Sequence, residues 1–230
     1  MTAAALLRAE RAGKTYRSRR GLFRPAREHR AFGPVDLEWR AGECAALVGR
    51  SGSGKSSLAR CLAGHEPLTE GALSGTAVQG GSVRGVQLVF QDSPLALNPR
   101  WSVAEILEEP ARVCGRRESR TFLGRRLEEA GLPADLLDRR PQQLSGGQRQ
   151  RVAIARALAA HPLHALILDE PFAGLDSASA EHIQVLLWSL AVKRGLAVLW
   201  ITHDLKRVCE APGDVLAMEQ GRIVERLSAR

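Results

Sequence analysis

Apolar and polar positions change period several times along the chain. Residues 5–16 and 35–40 alternate loosely, as strands of a small sheet would. Cys44-Ala45-Ala46-Leu47-Val48 is a continuous apolar run of strand length. A Gly- and Ser-rich turn follows it, and then a helical pattern over residues 56–63. Residues 66–85 are rich in Gly and turn formers, which predicts short strands and loops. Residues 86–90 (VQLVF) are strand-like and end at Gln91-Asp92. From Asn98 the period becomes helical: Val103, Ile106 and Leu107 share one face, and Pro110 is expected to interrupt the helix. Residues 120–130 repeat the helical pattern through Phe122, Leu123, Leu127 and Ala130, closed by Gly131-Leu132-Pro133. The stretch LSGGQ opens another helix, with Ser145 as N-cap and Val152, Ile154, Ala155, Leu158 and Ala159 on its apolar side. A strand (164–168), a helix (177–194), a strand (196–201), a last helix and a short strand pair near 215–224 complete the pattern.

Strands alternating with helices predict an α/β fold with a parallel sheet covered on both faces. The expected division is a single 1–230 domain with three parts. Residues 1–93 form a β subdomain and the first part of the core, 94–143 a helical subdomain, and 144–230 the rest of the core. With 44% hydrophobic residues among 230, the chain can bury a substantial core.

Charge and cysteine usage change this picture little. The net charge is +8, nearly all of the excess from arginine, since the lysines are Lys14, Lys55, Lys193 and Lys206. Arg17, Arg19, Arg20, Arg24, Arg27 and Arg30 crowd one stretch with Gly21 and Pro25, read as a solvated loop or hairpin excursion. Nucleic acid is not the expected partner, because aromatics for base stacking make up only 4%. Cys44, Cys61, Cys114 and Cys209 form no C-x-x-C pair, which argues for reduced thiols rather than a metal site. No apolar run approaches a membrane span, and residues 1–16 lack the apolar centre of a signal peptide.

The turn after the first apolar run is GRSGSGKSS, comprising Gly49, Arg50, Ser51, Gly52, Ser53, Gly54, Lys55, Ser56 and Ser57. It matches G-x-x-x-x-G-K-[ST] in the strand–loop–helix context a phosphate-binding loop requires. The glycines allow backbone amides to face phosphate oxygens, and the helix N-terminus adds partial positive charge. Lys55 would meet the outer phosphates and Ser56 would offer a hydroxyl to Mg2+. ALILDE ends a second apolar run in two carboxylates. Asp169 is placed to reach the Mg2+ at Ser56, and Glu170 to polarise an attacking water. Ser145, Gly146, Gly147 and Gln148, ahead of a helix, offer a second phosphate-binding surface. Two surfaces on one nucleotide are most economically used by two chains arranged head to tail.

These motifs together resemble the ATP-binding subunits of ABC transporters over nearly the whole chain, in the family's order and near its spacing. The resemblance implies ATP and Mg2+ as ligands, with Gln91 sensing the γ-phosphate and metal. Asp176 would couple two sites across a dimer, His203 would contact the γ-phosphate, and Tyr16 would stack on adenine. VFQDSPLALNPRWSVAEILEEP and RRPQQLSGGQRQRVAIARAL further resemble importers of oligopeptides, dipeptides and nickel. There the segment corresponding to residues 92–110 docks on the membrane permease subunits. The expected protein is an ATP-hydrolysing subunit that powers import of peptides, nickel or a related small solute, cytoplasmic and peripheral on the inner face of the cell membrane, which it contacts only through partners. Its partners would be permease subunits and a second ATPase subunit, a copy or a paralogue.

The chain departs from that class in three places. Residues 71–86 are short, Phe172 replaces the usual threonine, and the sequence ends at Arg230 without the Pro- and Cys-bearing extension, so no iron–sulfur site is expected. An ABC-like ATPase of a soluble enzyme complex, of the phosphonate-degradation type, is the alternative the motifs leave open.

Overall fold

The computed structural model describes residues 4–18, 27–90, 97–209 and 213–228. Two long strands, β1 (Leu7–Ser18) and β2 (Arg27–Trp39), pair antiparallel with Tyr16 opposite His29. β3 (Cys44–Val48) runs through the Gly-rich turn into α1 (Lys55–Leu62). β4 (Glu70–Ser74) then takes the free edge of β1, giving a three-stranded sheet ordered β2-β1-β4. A hairpin of β5 (Val78–Gln79) and β6 (Ser82–Val83) precedes β7 (Val86–Val89). The helical stretch holds α2 (Val103–Val113), α3 (Arg120–Glu129) and 3-10 turns at Ala134–Asp138 and Pro141–Gln143. α4 (Gly146–Leu158), β8 (Ala165–Asp169), α5 (Ser177–Arg194), β9 (Ala197–Thr202), α6 (Leu205–Cys209), β10 (Asp214–Glu219) and β11 (Arg222–Leu227) follow.

The second sheet has the order β11-β10-β3-β9-β8-β7. Its strands are parallel except β11, which returns antiparallel along β10. The apolar runs of β8 and β9 are buried on both faces, as central parallel strands must be. Alternate residues feed two cores. Leu166, Leu168, Val198 and Trp200 pack with α2 to α5, while Ile167, Leu199 and Ile201 pack with α1 and the antiparallel sheet. The expected α/β architecture, with a parallel sheet and an antiparallel N-terminal sheet, is thus present.

Two expectations are corrected. Pro110 does not interrupt α2, which runs on to Val113. Pro110 removes one helical hydrogen-bond donor, but Ile106, Leu107 and Ala111 are buried around it, and packing of that face holds the last turn. A reciprocal cap also fixes the helix start, with Glu105 N–H donating to Ser102 Oγ and Ser102 N–H to Glu105 Oε2. The arginine-rich excursion is also narrower than its composition implies. Arg17 lies in β1, and Arg27 and Arg30 lie in β2, which starts at Arg27 rather than 35. Cross-strand pairs such as Arg17 Nε with Glu28 Oε1 at 2.8 Å support this pairing, a tertiary gain that a local charge count misses. Arg19, Arg20 and Arg24 lie outside the described residues.

Candidate active site

The sheet order places three strand ends side by side. β9 lies between β3 and β8, with Val48 beside Thr202 and Asp169 beside Ile201. The chain segments leaving the C-terminal ends of these strands therefore share one crevice, where ligands bind in open α/β sheets. A pocket of about 620 Å³ opens there, lined by Tyr16, His29, Ala31, Arg50, Ser51, Gly52, Gly54, Lys55, Ser56, Ser57, Asp169, Glu170 and His203.

The turn after β3 is held so closely that side chains cannot fit at two of its glycines. A Cβ on Gly49 would lie 2.2 Å from the Met218 carbonyl oxygen, and one on Gly54 would lie 2.3 Å from that of Ala31. Gly54 also has φ +103, in the left-handed region where glycine is favoured. β10 and β2 thus clamp the loop from outside, and the start of α1 faces the pocket. Gly49 and Ser53 contribute to this loop behind the pocket wall. Lys55 is 7% exposed, and its Nζ donates to the carbonyl oxygens of Gly49 at 2.7 Å and Arg50 at 2.9 Å. Burial lowers its pKa, and the Glu170 and Asp169 carboxylates oppose that shift.

Asp169, 9% exposed, accepts a hydrogen bond from Ser56. Burial raises its pKa, the Ser56 contact pulls the other way, and the charge of Glu170 adds to the rise. Glu170 has φ +50, a costly conformation for a side chain with Cβ. Its amide donating to the Ile201 carbonyl at 2.8 Å holds it there. The resulting turn places Glu170 Oε1 2.8 Å from His203 Nδ1, and Thr202 Oγ1 donates to Oε2 at 3.3 Å. A cation-rich loop, a buried carboxylate beside a hydroxyl, and a second carboxylate touching a histidine suit the binding of a polyphosphate with its metal ion and activation of a water. The clamped glycines let the loop pack closely on β10 and β2 and so keep the turn whose amides phosphate oxygens would approach.

The other expected site residues lie elsewhere. Ser145 caps α4, with Gln148 N–H donating to its Oγ and Ser145 N–H to Gln148 Oε1. Ser145 and Gly146 are exposed, and none of the LSGGQ residues lines the pocket. A Cβ on Gly147 would lie 3.6 Å from Ser179 Oγ, so this helix start abuts the start of α5. There Asp176 is the N-cap, accepting from Ser179 N–H at 2.9 Å and Ser179 Oγ at 2.7 Å. Gln91 lies outside the described residues. Phe172 is buried edge-on against Trp200 at 5.3 Å, a core position that does not line the pocket. Sequence reasoning missed His29 and Ala31, which reach the pocket because β2 extends far enough to face Tyr16. The aromatic itself was the only local signal.

The family model described as "ABC transporter" matches residues 32–173. The nickel import ATP-binding protein NikE of Escherichia coli strain K12 is 41% identical over 226 residues, 93% of this chain and 84% of that protein. The dimeric structure of MJ0796, a bacterial ABC transporter cassette, superposes with a TM-score of 0.80 at 27% identity, covering 97% of this chain and 99% of that one. The same cassette in a post-hydrolysis state bound to ADP and Pi gives 0.81 at 27% identity with the same coverage.

Proposed function

The chain belongs to the ABC transporter ATPase family, and from that premise we propose that it is the ATP-hydrolysing subunit of an importer for nickel or a related small solute. The observation that carries this reading is the convergence of Lys55, Ser56, Asp169, Glu170 and His203 on one pocket, with Ser145–Gln148 set apart from it. In this reading Lys55 and the α1 amides bind the β- and γ-phosphates. Ser56 and Asp169 would hold Mg2+, which when bound would neutralise phosphate charge. Glu170 takes the proton of the attacking water, and His203, in contact with Glu170, orients that carboxylate. Gln91 would sense the γ-phosphate and the metal, and Tyr16 provides the wall for adenine.

Ser145, Gly146, Gly147, Gln148 and Asp176 act on the nucleotide of a second ATPase subunit, a copy or a paralogue. Ser145, Gly146 and Asp176 are exposed and Gly147 and Gln148 half-buried, all outside the pocket lining, which supports this division, and MJ0796 is itself a dimer. Residues 92–110 dock on permease subunits. In the described part, Val103, Ile106 and Leu107 are core, which leaves Pro99, Arg100 and Glu105 exposed for contact. The parts 1–93, 94–143 and 144–230 then serve base and phosphate binding, docking, and hydrolysis. Among the described residues no helix is long and apolar enough to cross a membrane, in keeping with a cytoplasmic subunit held peripherally by its permease.

Co-expression with the permease subunits of a nickel importer tests this reading. The tagged chain should bring the permease down from detergent-solubilised membranes, and Lys55→Ala should abolish nickel uptake without breaking that complex. Purification only within a soluble enzyme complex would support the alternative of a phosphonate-degradation type ATPase.

A further inference from the structure

The pocket has a base end and a phosphate end, and they belong to different sheets. Tyr16 and His29 stand on the antiparallel sheet, while Lys55 and Ser56 stand on α1 behind the parallel one. A nucleotide spanning both ends requires that the two sheets keep a fixed separation. One carboxylate outside the pocket wall ties them together. Glu66, on the loop between α1 and β4, accepts a hydrogen bond from the Tyr16 hydroxyl at 2.7 Å through Oε2. The same oxygen lies 3.4 Å from Lys14 Nζ, and Oε1 lies 3.8 Å from Arg60 Nη1 on α1. The Tyr16 hydroxyl also lies 3.3 Å from Ser57 Oγ, one residue beyond the metal-site serine. Lys14 is 8% exposed, donates to the Pro67 carbonyl at 2.8 Å, and stands over the Tyr16 ring at 5.3 Å from its centroid.

We propose that Glu66 is a positioning residue for nucleotide binding, fixing the Tyr16 ring against the phosphate loop, with Lys14 backing the ring. This rests on the reading of the pocket as an ATP site. Lys14 does not line the pocket, so the ring face it covers is not the face a base would use. A cation behind an aromatic ring is attracted to its π density. It thereby pins the ring's tilt as well as its hydroxyl, and draws electron density from the face left for the purine. Glu66 touches neither base nor phosphate in this arrangement. It acts through Tyr16, as supporting residues do where a contact ring must be held within a fraction of an ångström.

The test separates base affinity from phosphate affinity. Binding of ATP and of inorganic tripolyphosphate, each with Mg2+, is measured by calorimetry for the parent chain, Tyr16→Phe, Glu66→Ala and the double variant. Base–aromatic stacking is worth a few kcal/mol, so misplacing the ring should weaken ATP roughly three- to tenfold and leave tripolyphosphate unchanged. Tyr16→Phe removes only the hydroxyl, and the double variant should be no weaker than either single one, because all three break one linkage. Should Glu66→Ala fail to fold, Tyr16→Phe carries the same comparison. Equal losses for both ligands would reduce Glu66 to a structural role and overturn the proposal. Loss of ATP affinity in Tyr16→Ala but in neither Tyr16→Phe nor Glu66→Ala would leave the base wall standing and remove Glu66 from it. Undiminished ATP binding by Lys55→Ala would instead overturn the reading of the pocket itself.

Discussion

Glu170 combines a left-handed backbone with a carboxylate 2.8 Å from His203 Nδ1, a conformation the fold sustains at some cost. Glu170→Gln keeps the shape and removes the proposed base. ATP binding should persist while turnover falls by roughly 100-fold or more, measured as phosphate release at saturating ATP. Gly54→Ala tests the clamp on the loop. The added methyl would meet the Ala31 carbonyl at 2.3 Å with φ at +103, so nucleotide binding should be lost even if the variant folds. Glu66 gives a pH signature. Burial alone would raise its pKa, but the Tyr16 hydroxyl, Lys14 and Arg60 together hold it below the ordinary 4.5. A depressed carboxyl contributes stability above its unfolded pKa and loses it as pH falls through the folded one. The melting temperature of Glu66→Gln should therefore lie below the parent's at neutral pH, and the gap should close as pH drops below 4.5.

At the scale of elements, α2 carries the second part of the expected docking segment, residues 103–110, on a helix that continues past Pro110. Its anchor is the buried side, where Leu107 is 0% exposed among the residues that pack with α4. Leu107→Ala should cost about 2–5 kcal/mol in urea unfolding. Ser102→Ala removes the N-cap hydroxyl and should cost about 1 kcal/mol. If α2 is the docking element, Leu107→Ala should also weaken permease capture while ATP binding by the folded fraction persists. Glu129 on α3 joins the helical stretch to the core, reaching Arg194 of α5 at 3.3 Å and Arg126 at 2.6 Å.

For the whole molecule, the pocket binds but the residues of LSGGQ stand outside it. A chain that completes its site only with a partner's LSGGQ should show ATPase activity per molecule that rises with protein concentration. Sedimentation in ATP with Glu170→Gln should show accumulation of the dimer, and rapid turnover by a proven monomer would count against a composite site.

Much of the loop end of the pocket was legible in sequence because its turn is local. Residues 49–57 must turn sharply between a strand and a helix, so Gly, Lys and Ser fall at fixed spacing. The same holds for the carboxylates ending β8, for the Ser145 cap, and for the helix predicted at 177–194. The pattern of apolar runs likewise determined an α/β fold, since buried parallel strands leave continuous apolar stretches. Three features were decided only by tertiary structure. Which strand ends meet depends on the order β3-β9-β8, which no local period encodes. The length of β2, and with it His29, depends on pairing with β1 across a charged stretch that reads as loop. The Tyr16–Glu66–Lys14 linkage joins residues some 50 positions apart, and their spacing in the chain carries no trace of it. Hydrogen bonds and ion pairs of that kind follow from the packing of one sheet on another, after local preferences have been satisfied.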